Sequence, residues 1–250
     1  MLIAGFGLTA AEWDPALVAR LAAHRRVIVF DNRGVATSTG ALGRLSVAQM
    51  AGDTARLIAK LKLGRADVLG WSMGGYIAQE LALRHPKRVR RLVLAGTDPG
   101  GRVAVQPSAA VNAVLEDPDA TPDALLPILF PADQQAAGGA WYQRIGSQPG
   151  LEAQWLTVSP EALAAQTRAC GRRWTGRGKG TWSRLPRLAL PVLVADGADD
   201  VVVPMANSRK LARRIPGARL RVYPDAGHAF LVQDGPAFAH AVNAFLTRRG

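Results

Sequence analysis

A serine set between glycines, Gly70-Trp71-Ser72-Met73-Gly74, follows a strand-forming run and precedes a helical pattern. A serine on so sharp a strand-to-helix turn takes strained backbone angles, the glycines leave room for the turn, and the hydroxyl is presented at the carboxyl end of a sheet. A hydroxyl is a weak nucleophile, so it needs a base, and the base needs a partner that fixes its tautomer and stabilises the imidazolium. Of the four histidines, His24 ends a surface-type helix, His85 sits in Arg-His-Pro at a helix terminus, and His240 lies inside the last helix. His228 differs. It lies in Asp225-Ala226-Gly227-His228, a loop after the last strand, from which a side chain reaches over the sheet edge to Ser72. For the acid, the turn at the end of residues 191–200 offers Asp196, Asp199 and Asp200. Loops after parallel strands open towards one edge, the edge that also carries Ser72. Asp200, just before Val201-Val202-Val203-Pro204, is the choice, with Asp199 next and Asp98, after the preceding strand, a lesser alternative.

The elements that must position these residues are legible as strands alternating with helices. Short aliphatic runs occur at 2–5, 27–31, 66–71, 91–96, 191–197 and 219–224. Continuous apolar strands separated by helices predict an α/β chain with a mostly parallel sheet covered on both faces. Asp14-Pro15 reads as N-cap and first position of a helix running to about His24, and Ser46 with Gln49 as a capping box for the next. A third helix is expected from Ser72 to just before Pro86, and a last one from Pro236 to Thr247. Between Thr97 and Arg184 prolines separate short helical patches, and no strand pattern appears. An insertion this long exceeds a plain crossover. The expected organisation is a core of residues 1–97 and 185–250 with a helical cap over 98–184, whose end, Gly171 to Gly180, reads as mobile.

With 250 residues, 48% of them hydrophobic and 20% charged, the chain has material for one sizeable core and is too poor in charge for general disorder. The net charge of +12 raises the question of a nucleic-acid partner. The charge is mostly arginine and spread over several helices, so none is expected, although residues 162–195 hold seven basic side chains and no acidic one. That stretch, with Arg172 and Arg173, is one reason to consider an anionic substrate. The single cysteine, Cys170, forms no intrachain disulfide and reads as an inert side chain. No run of 18 apolar residues and no leader pattern is present, so no membrane partner is expected and the cytoplasm is the default location. Nothing in the residues sets an oligomeric state.

Taken together, Phe30-Asp31-Asn32-Arg33-Gly34, Trp71-Ser72-Met73-Gly74-Gly75 and Gly227-His228, in the chain order Ser72, Asp200, His228, resemble the α/β-hydrolase superfamily, in its cap-bearing esterase-like and haloperoxidase-like branch. The resemblance covers residues 2–97 and 185–247 and implies the α/β-hydrolase fold, an acyl-enzyme mechanism and no cofactor or metal. Carried over by position, it makes the backbone N–H groups of Phe6 and Met73 the oxyanion hole. Two departures stand out: Ala4-Gly5 replaces the usual His-Gly, and the antiparallel strands that usually precede the oxyanion strand are absent. The second implies either an upstream start or a shortened sheet with an exposed edge.

The expected substrate is a small-molecule carboxylic ester, with Trp141, Trp155, Trp174, Trp182, Leu125, Leu126 and Phe130 as candidates for an apolar roof, though packing explains most of them. Carbon-carbon bond hydrolysis, lactone opening and perhydrolysis use the same three residues. Two readings from other classes compete with it. A ligand-binding relative without catalysis has no need for all three residues. A dinucleotide fold matches Gly5-Phe6-Gly7-Leu8-Thr9-Ala10 and Asp31, but its fingerprint needs a helix opening at the glycines, whereas Asp14-Pro15 starts one well after them.

Overall fold

The computed structural model describes residues 1–117, 120–171 and 180–247. The aliphatic runs form six strands, β1 (Leu2–Ile3), β2 (Val29–Phe30), β3 (Ala66–Trp71), β4 (Val89–Ala95), β5 (Val192–Gly197) and β6 (Arg219–Tyr223). They build one sheet in the order β2-β1-β3-β4-β5-β6, parallel at every pairing. The first two strands are shorter than the sequence suggests, two residues each. Beyond Ile3 the chain leaves the sheet through Ala4 to Gly7, where Gly7 takes a φ of 65°. On this side the sheet of the described residues ends at β2, where Val29 is 38% exposed, and β1 is interior.

Helices cover both faces. On one, α2 (Val47–Lys60), α3 (Met73–Arg84) and α8 (Ala206–Arg214) bury Met50, Ile58, Ile77, Leu81 and Leu211 against Leu92 and Leu94 of β4. On the other, α1 (Pro15–Ala22), α9 (Phe230–Gln233) and α10 (Gly235–Thr247) bury Leu17, Phe230, Phe238 and Val242 against Val93 and Ala95 of the same strand. Alternate residues of one strand thus feed two cores, the consequence of a two-residue side-chain period. The helix starts follow their caps: the Asp14 carboxylate accepts from Ala16 N–H at 2.9 Å, and Ser46 Oγ accepts from Gln49 N–H at 3.2 Å.

Between β4 and β5 lie α4 (Ala109–Glu116), α5 (Pro122–Leu129), α6 (Gln135–Gly146) and α7 (Pro160–Cys170), three of them opened by the side chains of Ser108, Thr121 and Ser159. The only β pairing among the described residues of this segment is an isolated antiparallel bridge from Val158 to Val35. The stretch read as mobile, Gly171 to Gly180, lies largely outside the described residues.

Where the chain passes closest to itself, a side chain does not fit. A Cβ on Gly74 would land on the backbone carbonyl of Ile3, deep inside contact distance. Gly74→Ala should therefore destabilise by about 3 kcal/mol or more, because neither backbone can retreat without moving β1 or α3. Gly139→Ala on α6, where an added Cβ meets nothing within 4 Å, should instead stabilise by about 0.5–1 kcal/mol. Urea midpoints of the two variants check the contrast; equal shifts would overturn it.

Candidate active site

From β1 the chain goes to its neighbour β2, and from β3 to β4 on the opposite side. Such a reversal between adjacent strands opens a crevice at their carboxyl ends. The loop after β1 and the turn after β3 both enter it.

At that turn Ser72 has φ 56° and ψ −121° and immediately precedes α3. A non-glycine residue stays in that region only when its surroundings hold it there. Ser72 N–H donates to the Ala95 carbonyl at 2.9 Å, and the Ser72 carbonyl accepts from Gly75 N–H at 2.8 Å and Thr97 Oγ1 at 2.9 Å. Ser72 Oγ has no hydrogen-bond partner among the described residues. The neighbouring glycines have steric reasons, since a Cβ on Gly70 would strike the Gly74 carbonyl.

His228 Nδ1 lies 2.6 Å from Asp200 Oδ2, with both side chains almost wholly buried. The other oxygen, Asp200 Oδ1, accepts from Val202 N–H at 2.8 Å and Val203 N–H at 2.7 Å, so the carboxylate is held on two sides. This separates the candidate acids. Asp199 is exposed. Asp196 turns to Ser208 Oγ at 2.6 Å and Gly197 N–H at 2.9 Å, and burial together with the neighbouring Asp200 charge pushes its carboxyl well up. Asp98 accepts from Tyr76 Oη at 2.7 Å, and from Gly100 N–H at 2.5 Å. Trp71 fixes the histidine loop: its ring lies 5.7 Å from the His228 ring, and its Nε1 donates to the His228 carbonyl at 3.2 Å.

The two amides carried over as oxyanion donors, Phe6 N–H and Met73 N–H, have no hydrogen-bond partner among the described residues. Met73 opens a helix of 12 residues, where unpaired N–H groups concentrate positive potential. Beside Phe6, Gly7 N–H donates to the buried Gln166 Oε1 of α7 at 2.9 Å, tying the loop after β1 to the segment between β4 and β5.

Two cavities meet at Ser72. The larger, about 260 Å³, includes His228, Trp71, Leu8, Leu125, Leu129 and Glu12 in its wall. The smaller, about 140 Å³, includes Met73, Tyr76, Asp98, Asn112 and Thr167. Phe6, Ser72, Leu115 and Val202 belong to both. A third cavity, about 240 Å³, lies at the amino edge of the sheet among Arg25, Arg65 and Arg90, away from Ser72 and His228. Of the roof candidates, Trp141 and Leu125 line the larger cavity. Phe130 is buried in the core on the α1 side, Leu126 packs against it, Trp182 packs against the opposite core, and Trp155 is 43% exposed. Trp174 lies outside the described residues, as do Arg172 and Arg173 of the basic stretch. Cys170 borders the smaller cavity, but burial pushes its thiol up to about 12, so it stays protonated and unreactive at neutral pH.

Three participants escape the sequence reading: Glu12, Gln166 and the clamping role of Trp71. Glu12 alone left a signal, the Thr9-x-x-Glu12 spacing of a capping box, expressed as Thr9 N–H donating to Glu12 Oε2 at 2.7 Å. Burial pushes the Glu12 carboxyl up to about 7, with the Thr9 amide opposing. Because this folded value lies above the 4.5 of a free glutamic acid, the associated stability is complete below about pH 4.5 and is lost as pH rises through 7. Glu12→Gln keeps an acceptor for Thr9 N–H and removes the charge. It should gain on the wild type by about 2–3 kcal/mol between pH 5 and pH 8. Urea denaturation at the two pH values measures this, and a pH-independent difference would refute it.

A family model described as alpha/beta hydrolase fold matches residues 1–234. The "Putative carbamate hydrolase RutD" of Caulobacter sp. (strain K31) is 32% identical over 258 residues, spanning 99% of this chain and 90% of the relative. Among solved structures, the enol-lactonase of Burkholderia xenovorans LB400 superposes with a TM-score of 0.81 at 28% identity, over 99% of this chain and 90% of its own. A thermophilic esterase from Thermogutta terrifontis superposes with a TM-score of 0.77 at 27% identity, over 98% and 88% respectively.

Proposed function

Because the chain belongs to the alpha/beta hydrolase fold family, we propose that it is a serine hydrolase acting on a small carboxylic ester, with Ser72 as nucleophile, His228 as base and Asp200 as orienting acid. The observation that carries the reading is the buried 2.6 Å contact of His228 Nδ1 with Asp200 Oδ2, on a histidine that lines the same cavity as the strained Ser72. An Asp200 carboxylate accepting from Nδ1–H leaves Nε2 as the free base on the imidazole.

Ser72 Oγ attacks the carbonyl carbon while His228 Nε2 takes its proton. The carbonyl oxygen becomes an oxyanion, which the Phe6 and Met73 amides receive; fixed donors of this kind are each worth about 100- to 1,000-fold in rate. His228 then protonates the departing alkoxide, leaving an acyl group on Ser72. Water attacks that ester with His228 again as base, and Ser72 regains its proton. Ser72 Oγ has no hydrogen-bond partner among the described residues, and catalytic hydrogen bonds often close only around substrate. Residues 98–184 serve as the cap, closing the crevice with Leu125, Leu129 and Trp141.

The two cavities meeting at Ser72 have room for the acyl and alcohol halves of an ester on either side of the scissile bond. The test is turnover of p-nitrophenyl acetate and octanoate by the wild type, with fluorophosphonate labelling mapped by peptide mass. Turnover with the label on Ser72 supports the proposal. A folded protein that neither labels nor turns over would return the weight to a ligand-binding relative.

A further inference from the structure

The larger cavity has mostly apolar walls and two carboxyl groups, the buried Glu12 and the exposed Asp117. Glu12 stands there with Leu8, Leu125, Leu129, Tyr142 and Leu163. No lysine or arginine is among the described residues lining it, and none pairs with Glu12. The cation on the adjoining helix, Arg144, is already held by Asp14 through two hydrogen bonds of 3.0 and 2.7 Å. The carboxyl is fixed rather than free to swing out, because Thr9 N–H holds Oε2. The Trp141 Nε1 donates to the Glu12 carbonyl at 3.2 Å, and the Trp141 and Tyr142 rings stack at 5.0 Å. A carboxylate beside aromatic faces in an apolar cleft is the environment that recognises an alkylammonium group.

We propose that Glu12 determines specificity in this cavity, selecting esters whose acyl chain ends in an ammonium group. The inference rests on the serine-hydrolase reading of Ser72. The acyl methylenes lie along the leucines, the scissile carbonyl sits at Ser72, and the ammonium reaches Glu12. The groups facing Glu12 are Asp31 at the end of β2, whose Oδ1 accepts from Ala10 N–H at 2.6 Å, Tyr142 on α6, the Asp14–Arg144 pair, and Asp117 and His228 across the cavity. Asp31 raises the Glu12 carboxyl further, and Glu12 in turn helps to push Tyr142 up to about 12, after burial. Because the Glu12 carboxyl titrates at about 7, discrimination belongs to the alkaline side of neutrality.

The experiment compares p-nitrophenyl heptanoate, p-nitrophenyl 6-ammoniohexanoate and the p-nitrophenyl monoester of adipic acid, with kcat/KM measured from pH 6 to 8. Taking the ratio of ammonium to alkyl ester cancels any pH dependence common to both esters. In the wild type that ratio should rise about tenfold across this range with a midpoint near 7, and in Glu12→Gln it should be flat. The adipate ester should be the poorest of the three above pH 7. A flat ratio in a wild type that hydrolyses heptanoate well overturns the role of Glu12 alone, as does a pH-dependent ratio that survives in Glu12→Gln. Preference for the adipate ester overturns it in favour of the basic stretch around Arg172. Absence of turnover on all three, with no label on Ser72, overturns the hydrolase reading and this inference with it. The wild-type profile decides even if the variant folds poorly.

Discussion

Ser72→Ala is expected to lower ester turnover by about 100,000-fold or more and to abolish fluorophosphonate labelling, with almost no change in stability. The size of the effect follows from the mechanism: without Oγ no acyl-enzyme forms, and His228 and the oxyanion donors act only on a water that nothing positions. The small structural effect follows from the surroundings. Ser72 Oγ has no hydrogen-bond partner among the described residues, so alanine orphans none. The φ of 56° is equally strained for either side chain, because it is imposed by Ala95, Gly75 and Thr97 bonding the Ser72 backbone. Melting temperatures within a few degrees of each other, together with the rate loss, assign the hydroxyl to chemistry. A variant keeping a tenth of the wild-type rate would remove Ser72 from the nucleophile's place.

Asp200→Asn is expected to cost about 10,000-fold in kcat while the fold survives. Asparagine is nearly isosteric, and its carbonyl can still accept from the Val202 and Val203 amides. Its amide group then faces His228 Nδ1 as a donor where the carboxylate was an acceptor. The imidazole must place its proton on Nε2, the nitrogen required as base. The comparison that isolates this tautomer effect is Asp199→Asn, an exposed position, which should remain within about twofold of wild type. A similar loss in both variants, or none in Asp200→Asn, would mean that the orienting acid lies elsewhere.

The parts of the fold and site that are readable in the chain are those set by neighbours a few residues away. The elements around Asp14-Pro15 and Ser46 start where their caps place them. The turn at Ser72 is written in Gly70 and Gly74, each of which abuts backbone. The lengths of β1 and β2 are less readable, because an aliphatic run pairs only as far as its neighbour in the sheet extends: Leu2 and Ile3 find Val29 and Phe30, and Ala4 finds no partner in that ladder. Which roof candidates line the cavity is not readable in the chain for a related reason. An apolar side chain such as Phe130 is equally suited to a cavity wall and to a core, and packing put it in the core.

By itself, then, the amino-acid sequence determined the α/β alternation, the mostly parallel habit of the strands, the strained serine turn and the histidine loop, since backbone propensity, capping and glycine sterics act over a few residues. Only the tertiary structure decided which distant groups share a site. It set β1 beside β3, so that Phe6 and Met73 flank Ser72 at the reversal of strand order. It distinguished Asp200 from Asp196 and Asp199 by which carboxylate faces His228, 28 positions away. It also brought Glu12 into the cavity of Ser72 and His228. These choices depend on burial and on contacts between residues far apart in the chain, which exist only once the sheet has closed its order and the helices have packed against it.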